Sequence, residues 1–225
     1  MNQRFFVTST GTGIGKSFIT AGLVRQAKAL WRSVAAHKPI ISGFDPTNPG
    51  DSDTGLLLQS LGEVINEETI HRLSPWRYTA PLAPALAARQ EDREIDFDAL
   101  VMHTRGALLA PNDLILIEGV GGIMVPLTDR HTVLDWIEES EVPVILVVGS
   151  YLGSISHTLT ALTVLKQRGI PIHAIVVNES EGASVTLQQT MEQLLPFTSL
   201  PLAPVARRDA GYDVNDVKEL RALLA

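Results

Sequence analysis

Residues 5–21 of this chain, which decide its fold, read Phe-Phe-Val-Thr-Ser-Thr-Gly-Thr-Gly-Ile-Gly-Lys-Ser-Phe-Ile-Thr-Ala. The three leading apolar residues predict a buried strand. Residues 8–15 are rich in Gly, Thr and Ser, which can wrap backbone amides around an anion. From Lys16 onwards the apolar residues recur at helical spacing. A strand, a glycine loop and a helix start in this order predict a phosphate-binding loop, because free amides and the positive helix end face the anion.

The loop departs at one position from the common pattern Gly-x-x-x-x-Gly-Lys-[Ser/Thr], which would place glycine where Thr10 stands. Its ending, Gly-Thr-Gly-Ile-Gly-Lys-Ser, is intact. We predict that Lys16 reaches the terminal phosphates of a nucleotide and that the Ser17 hydroxyl ligates magnesium. An ordinary glycine-rich turn with an exposed lysine is disfavoured, because motif and context agree.

The composition limits the possible functions further. The chain has 225 residues, 45% of them hydrophobic, and no linker is visible, so we expect one domain over residues 1–225. The formal net charge of −7 disfavours a nucleic-acid partner, and the lack of cysteine excludes thiol catalysis and cysteine-ligated zinc. The chain shows no apolar run of membrane-spanning length and no signal-peptide core, which predicts a cytoplasmic protein without a membrane partner.

Apolar strands alternate with helices along the chain. Strands are predicted at residues 5–7, 33–41, 113–118, 142–149, 172–178 and 200–205. Helices are predicted from Lys16 and at residues 56–61, 65–73, 97–109, 132–139, 154–168, 185–195 and 214–224, with an irregular, proline-containing excursion at 74–84. This alternation predicts an α/β fold of the P-loop NTPase type, a single-domain parallel sheet flanked by helices on both faces.

Polar or glycine-rich segments follow five of the predicted strands. They are the phosphate loop, Lys38 with Ser42, residues 118–122, residues 149–153, and Asn178. Ligands of such sheets bind at the carboxyl ends of the strands. The five segments therefore predict one extended site.

Two acids are candidate magnesium ligands, because this ion prefers oxygen donors. Glu118 ends a buried strand, and the glycines after it (Gly119, Gly121 and Gly122) allow another group to approach closely. Asp53 follows a polar loop, and there a helix N-cap is an equally good interpretation.

Lys38 and Asn178 are the remaining candidates at strand ends. Lys38 can point into the same cleft as Lys16 and neutralise developing negative charge, unless it is a surface lysine. Asn178 can read an adenine edge with its amide, or it can cap a turn.

Five segments of the sequence, taken together, resemble the dethiobiotin synthetase family, and the resemblance extends over almost the whole chain. They are Thr-Gly-Thr-Gly-Ile-Gly-Lys-Ser (10–17), Lys-Pro-Ile-Ile-Ser-Gly (38–43), Asp-Ser-Asp (51–53), Glu-Gly-Val-Gly-Gly-Ile-Met-Val-Pro-Leu (118–127) and Gly-Ser-Ile-Ser-His-Thr-Leu (153–159). The resemblance implies an ATP-dependent ligase of biotin biosynthesis. In that reaction 7,8-diaminononanoate takes up CO2 to form a carbamate, ATP phosphorylates it, and the second amine closes the ureido ring.

The resemblance also implies roles for individual residues, with Lys16 and Lys38 as the catalytic lysines. ATP and magnesium would be bound by Gly13, Ile14, Gly15, Lys16, Ser17, Phe18, Asp53, Glu118, Gly119, Val120, Gly121, Asn178, Pro204, Val205 and Ala206, with Ser17, Asp53 and Glu118 as the metal ligands. The diamine would be bound by Thr12, Ser42, Ser150, Tyr151, Leu152 and Gly153. Members are homodimers, and residues 150–154 would meet the substrate carboxylate across the interface.

The chain departs from the family at three positions, since many members have glycine at Ser9, an acid at Gly13 and asparagine at Ser156. A partition-type P-loop ATPase, which acts as a switch for a protein partner, is the alternative function. Such switches often have a second lysine early in the loop and a basic partner-binding surface. Residues 9–15 contain no lysine and the chain is acidic, so the ligase is favoured.

Overall fold

The computed structural model describes residues 2–207 and 217–224. The strands are β1 (Gln3–Ser9), β2 (Val34–His37), β3 (Ile40–Ser42), β4 (Trp76–Tyr78), β5 (Leu114–Glu118), β6 (Val144–Gly149), β7 (Ile172–Asn178) and β8 (Leu202–Val205). The α-helices are α1 (Lys16–Ala29), α2 (Asp53–Leu61), α3 (Glu67–Leu73), α4 (Pro84–Gln90), α5 (Phe97–Leu108), α6 (Val133–Ser140), α7 (Ser154–Gln167) and α8 (Leu187–Leu194). Short 3-10 turns lie at Pro49–Asp51, Leu195–Phe197 and Lys218–Leu224.

Six strands form one parallel sheet in the order β2-β5-β1-β6-β7-β8. β1, which carries the phosphate loop at its carboxyl end, therefore lies in the middle of the sheet. Its neighbours β5 and β6 end in residues 118 and 149, so the segments that follow them meet the phosphate loop at one edge. A separate two-stranded parallel sheet pairs β3 with β4.

Helices cover both faces of the sheet. Successive residues of a strand point to opposite faces, and Phe6 accordingly packs on one side, edge-on to Trp136 of α6, in a core that also includes residues of α5 and α7. Phe5 and Val7 pack on the other side against α1 and the terminal 3-10 turn. The predicted α/β architecture is confirmed. None of the described helices has the length and apolar character needed to cross a membrane.

Two sequence-based predictions near β3 were wrong. The strand predicted at residues 33–41 is two strands, because Pro39 has no amide hydrogen to continue a ladder. After Pro39 the chain leaves the main sheet. The Pro39 carbonyl accepts a hydrogen bond from the Trp76 amide (3.0 Å). The excursion predicted as irregular at residues 74–84 thus contains β4, and α4 begins at its last residue, Pro84.

The start of α2 rules out one of the two interpretations of Asp53. Ser52 is the N-cap, since its side chain accepts a hydrogen bond from the Gly55 amide (3.0 Å). Asp53 is the first helical residue, so the interpretation of Asp53 as the cap is wrong, and its carboxylate does not cap the helix.

A helix is predicted at residues 214–224. Lys218–Leu224 form a 3-10 turn, and residues 214–216 lie outside the described part of the chain.

A buried histidine, His37, ends β2 immediately before Lys38. Only 8% of His37 is exposed, and its Nδ1 has no hydrogen-bond partner among the described residues. Burial, together with the nearby His103 and Arg72, lowers the pKa of His37 to about 4. The pKa of His103 is also lowered, by burial and by His71.

These histidines predict acid lability. His37 binds a proton more tightly in the unfolded chain, so its contribution to stability is complete above pH 6.5 and is lost as the pH falls towards 4. The loss amounts to roughly 3 kcal/mol for this shift. Urea unfolding at pH 7 and pH 4.5 should show a smaller loss of stability in His37→Phe than in the native protein. Equal losses in the two proteins would contradict the prediction.

Candidate active site

The phosphate loop connects β1 to α1, whose N-cap residue is Gly15. Gly13 and Gly15 have positive φ angles of 73° and 92°, a region in which other residues are strained. The Asn178 side chain donates a hydrogen bond from Nδ2 to the Ile14 carbonyl (2.8 Å), and a Cβ at Gly15 would collide with this same amide. Asn178 therefore fixes the loop from the end of β7.

Lys16 is buried inside the curve of the loop. Its ammonium donates to the Ser9 hydroxyl (3.1 Å) and to the Gly11 carbonyl (3.4 Å). Burial and the neighbouring charge of Lys38 lower the pKa of Lys16 to about 8, although Glu118 and Asp53 act in the opposite direction. A charge that is so poorly solvated favours an anion as its partner.

Glu118 and Lys38 form an ion pair at the centre of the site. Lys38 Nζ lies 2.6 Å from Glu118 Oε1, and the two side chains are 3% and 0% exposed. The Ser17 hydroxyl donates to the same oxygen (2.6 Å). Glu118 Oε1, at the end of β5, thus contacts both the residue that follows β2 and the first turn of α1.

Asp53, in the first turn of α2, also contacts Lys38, so Lys38, Glu118, Ser17 and Asp53 form one group of side chains. Its Oδ2 lies 3.0 Å from Lys38 Nζ, and its side chain is 46% exposed. Burial raises the pKa of Asp53, but Lys38 and the Ser17 hydroxyl outweigh this and hold it below its usual value. Burial alone would lower the pKa of Lys38, whereas Glu118 and Asp53 together raise it, so this lysine stays charged.

The oxygen atoms of this group suit magnesium. Glu118 Oε2 is buried and lacks a hydrogen-bond partner among the described residues, which leaves an acceptor free. Ser17 and Asp53 add two more oxygens. The described residues contain no cluster of three or more His, Cys, Asp or Glu side chains that could hold a metal by themselves. Magnesium is commonly held by one or two carboxylates together with the phosphates of a substrate.

A cleft of about 370 Å³ opens beside the phosphate loop. It is lined by Thr12, Gly13, Gly15, Lys16, Ser17, Phe18, Lys38, Ile41, Ser42, Asp53, Leu56, Val120 and Gly121. The structure therefore brings together most of the residues predicted to bind nucleotide, together with Ser42 and Thr12 from the predicted substrate set. Both lysines line the cleft, whereas Glu118 lies beneath its floor, fully buried.

The predicted substrate residues at the end of β6 do not line this cleft. Ser150 is fully buried, and its amide and hydroxyl pair with the hydroxyl and amide of Ser180 (3.1 and 3.0 Å). The Tyr151 hydroxyl lies 2.9 Å from His157 Nδ1, and Leu152 is 85% exposed. Gly153, with φ of 98°, is the N-cap of α7.

A second cleft, of about 450 Å³, lies on the other side of the loop tip. It shares Thr12 with the first, and its other side is formed by residues of α7, including His157. Its remaining lining is Thr10, Gly11, Gly122, Ile123, Met124, Val125, Pro126, Thr160, Ala161 and Val164. Through the Tyr151–His157 contact, residues 150–153 adjoin this second, more apolar cleft.

The predicted adenine-side segment runs at the sheet edge. Pro204 and Val205 belong to β8, opposite Val177 and Asn178 of β7. The Val205 side chain is buried in the core, and its carbonyl accepts a hydrogen bond from the Glu179 amide (2.9 Å). Ala206 follows the strand and is exposed. The roles of these residues in nucleotide binding stay predictions.

Sequence reasoning missed two hydroxyl contacts. In the sequence Ser9 stands out only as a departure from the family pattern, whereas in the structure its hydroxyl contacts Lys16. Ser180, which pairs with Ser150, was not singled out, because a serine after a strand gives no signal of its partner. Only the order of the strands, in which β6 and β7 are neighbours, places Ser180 beside Ser150.

Several known proteins are similar to the chain over nearly its whole length. The ATP-dependent dethiobiotin synthetase of Caulobacter vibrioides is 44% identical over 219 residues, which cover 97% of this chain and 98% of that protein. The synthetase of Acidiphilium cryptum is 42% identical over 204 residues, covering 90% and 92% of the two chains. The chain belongs to the ATP-dependent dethiobiotin synthetase family. A family model described as an AAA domain matches residues 3–206.

Membership in the dethiobiotin synthetase family confirms the predicted ligase class, its place in biotin biosynthesis and its use of ATP. Solved structures confirm the P-loop fold. The septum site-determining protein MinD of Pyrococcus horikoshii superposes with a TM-score of 0.58 at 16% identity, covering 100% of this chain and 95% of that one. At this identity the likeness of the synthetase to MinD shows the fold alone and gives no support to a switch function.

Proposed function

We propose that this synthetase forms the ureido ring of dethiobiotin from 7,8-diaminononanoate and CO2. One amine takes up CO2 and releases a proton, which gives a carbamate. A carbamate oxygen then attacks the γ-phosphorus of ATP, ADP leaves, and a carbamic-phosphoric anhydride remains. The second amine attacks the carbamate carbon and releases a proton, and the ring closes as phosphate departs. ATP as a substrate and the membership in the family also support a cytoplasmic location.

One observation carries this proposal: two buried ammonium groups, from Lys16 and Lys38, line a single cleft at the open end of α1. The helix start and Lys16 suit the phosphates of ATP. Lys38 lies beyond the loop, where its charge would neutralise the carbamate and the oxygen transferred to phosphorus. Ser42 lines the same cleft and offers a hydroxyl to the diamine.

We infer that Ser17, Asp53 and Glu118 hold the magnesium ion that accompanies ATP. Their oxygens converge around Lys38, and Glu118 Oε2 has no other partner among the described residues. When bound, the ion neutralises phosphate charge and orients the phosphates. The protein positions these ligands through the starts of α1 and α2 and the end of β5.

The decisive assay follows labelled bicarbonate into acid-stable product in the presence of diaminononanoate, ATP and magnesium. We expect incorporation that depends on all three.

Lys16→Ala should reduce the rate by roughly two to three orders of magnitude, as loss of a charge-stabilising donor does. Lys38→Met should abolish product yet still bind an ATP analogue in calorimetry. ATP hydrolysis without diamine or bicarbonate, and no labelled product, would contradict the proposal.

We further propose that the working unit is a homodimer whose substrate sites are shared. Residues 150–153 do not line the cleft of Lys16 and Lys38 in their own chain. The substrate carboxylate lies at the far end of a methylene chain from the amines. Exposed Leu152 and Met124 beside the second cleft support an interface there, and a two-fold axis would let each chain complete the other's site.

Complementation between two inactive chains tests the shared site. One chain carries Lys16→Ala and the other Leu152→Glu, which places a charge against the carboxylate without straining the backbone at Gly153. Each heterodimer should regain one of its two sites, so purified heterodimers should reach up to half of the native rate. Lack of recovery after verified subunit exchange, or a fully active monomer, would rule out the shared site.

A further inference from the structure

Ser9, the last residue of β1, is fully buried and surrounded by polar atoms. Its hydroxyl lies 2.6 Å from the Gly11 carbonyl and 3.1 Å from the Gly121 carbonyl. The Lys16 ammonium lies 3.1 Å away, and the Gly11 amide lies 3.4 Å away. One small side chain thus contacts the phosphate loop, the segment after β5 and the lysine of the loop.

The geometry divides these contacts between donor and acceptor roles. A hydroxyl has one hydrogen and two lone pairs, whereas an ammonium can only donate. Ser9 therefore donates to one carbonyl at a time, at the shortest distance to Gly11, and accepts from Lys16. In the described part of the chain, Ser9 is the only side chain that hydrogen-bonds to the Lys16 ammonium, whose other acceptor is the Gly11 carbonyl.

We propose that Ser9 is a positioning residue that fixes the Lys16 ammonium inside the phosphate loop before the nucleotide arrives. A lysine side chain has many rotamers, and ordering it during binding reduces affinity. Ser9 holds Lys16 within the phosphate loop, at the start of α1. This inference rests on the proposed role of Lys16 as a partner of the ATP phosphates.

A purely structural role makes a different prediction. If the hydroxyl served only to satisfy the Gly11 and Gly121 carbonyls, its loss would disturb the loop whether or not Lys16 were present. If it acts through Lys16, its loss should matter only when the lysine is there. A double-mutant cycle on ATP affinity separates these cases, because it measures the coupling between the two side chains.

The experiment measures the Kd of a non-hydrolysable ATP analogue with magnesium for the native protein, Ser9→Ala, Lys16→Ala and the double variant. We expect Ser9→Ala to bind about tenfold more weakly than the native protein, in keeping with loss of a charge-assisted hydrogen bond. In the Lys16→Ala background the same change should alter Kd by less than about twofold. Ser9→Thr, which keeps the hydroxyl, should bind as the native protein does.

Thermal unfolding of each variant accompanies the calorimetry. If Ser9→Ala lacks a folding transition, Ser9→Gly takes its place, since it also lacks the hydroxyl. Equal losses of affinity in both backgrounds, or no loss in either, would overturn the inference. In either of these cases a strong effect of Lys16→Ala on ATP binding would leave the proposed function intact. Native affinity in Lys16→Ala alone would overturn both the lysine's role and the inference.

Discussion

The contact between Lys38 and Glu118 is the interaction on which the rest of the site depends. Both side chains are almost completely buried, and an isolated charge in such a place would be strongly destabilising. Each charge is therefore strongly stabilised by the other. Because Lys38 follows β2 and Glu118 ends β5, the pair also connects two neighbouring strand ends. Asp53 and Ser17 then bring α2 and α1 to the same point.

This arrangement is possible because the sheet is parallel. All carboxyl ends of its strands lie at one edge, and β1 in the middle places the phosphate loop between the segments that follow β5 and β6. The loop is restrained by Ser9 on one side and by Asn178 on the other. The same edge thus holds the glycine loop, two ammonium groups and several carboxylate and hydroxyl oxygens. We propose that these groups together bind the substrates of the ATP-dependent ligase.

The sequence predicted the architecture, and it also singled out many of the residues that line the cleft beside the phosphate loop. Apolar strands such as residues 113–118 and the glycine loop before Lys16 carry strong local signals, and both were found where expected. The failures came from features that depend on distant partners. Pro39 ends β2, but only the pairing of β3 with β4 shows where the chain goes next. Likewise, only the hydrogen bond between Ser52 and the Gly55 amide shows that Asp53 is not the helix cap.

The central claim, that Lys38 and Glu118 depend on each other, is tested most directly by a double-mutant cycle on the free energy of unfolding. Lys38→Met and Glu118→Gln are measured singly and together by urea denaturation at pH 7, without nucleotide or metal. Removing one partner of a buried pair typically costs about 3–5 kcal/mol. The account predicts that the double variant is less destabilised than the sum of the two single changes, by at least about 2 kcal/mol. Additive effects of the two substitutions would contradict it.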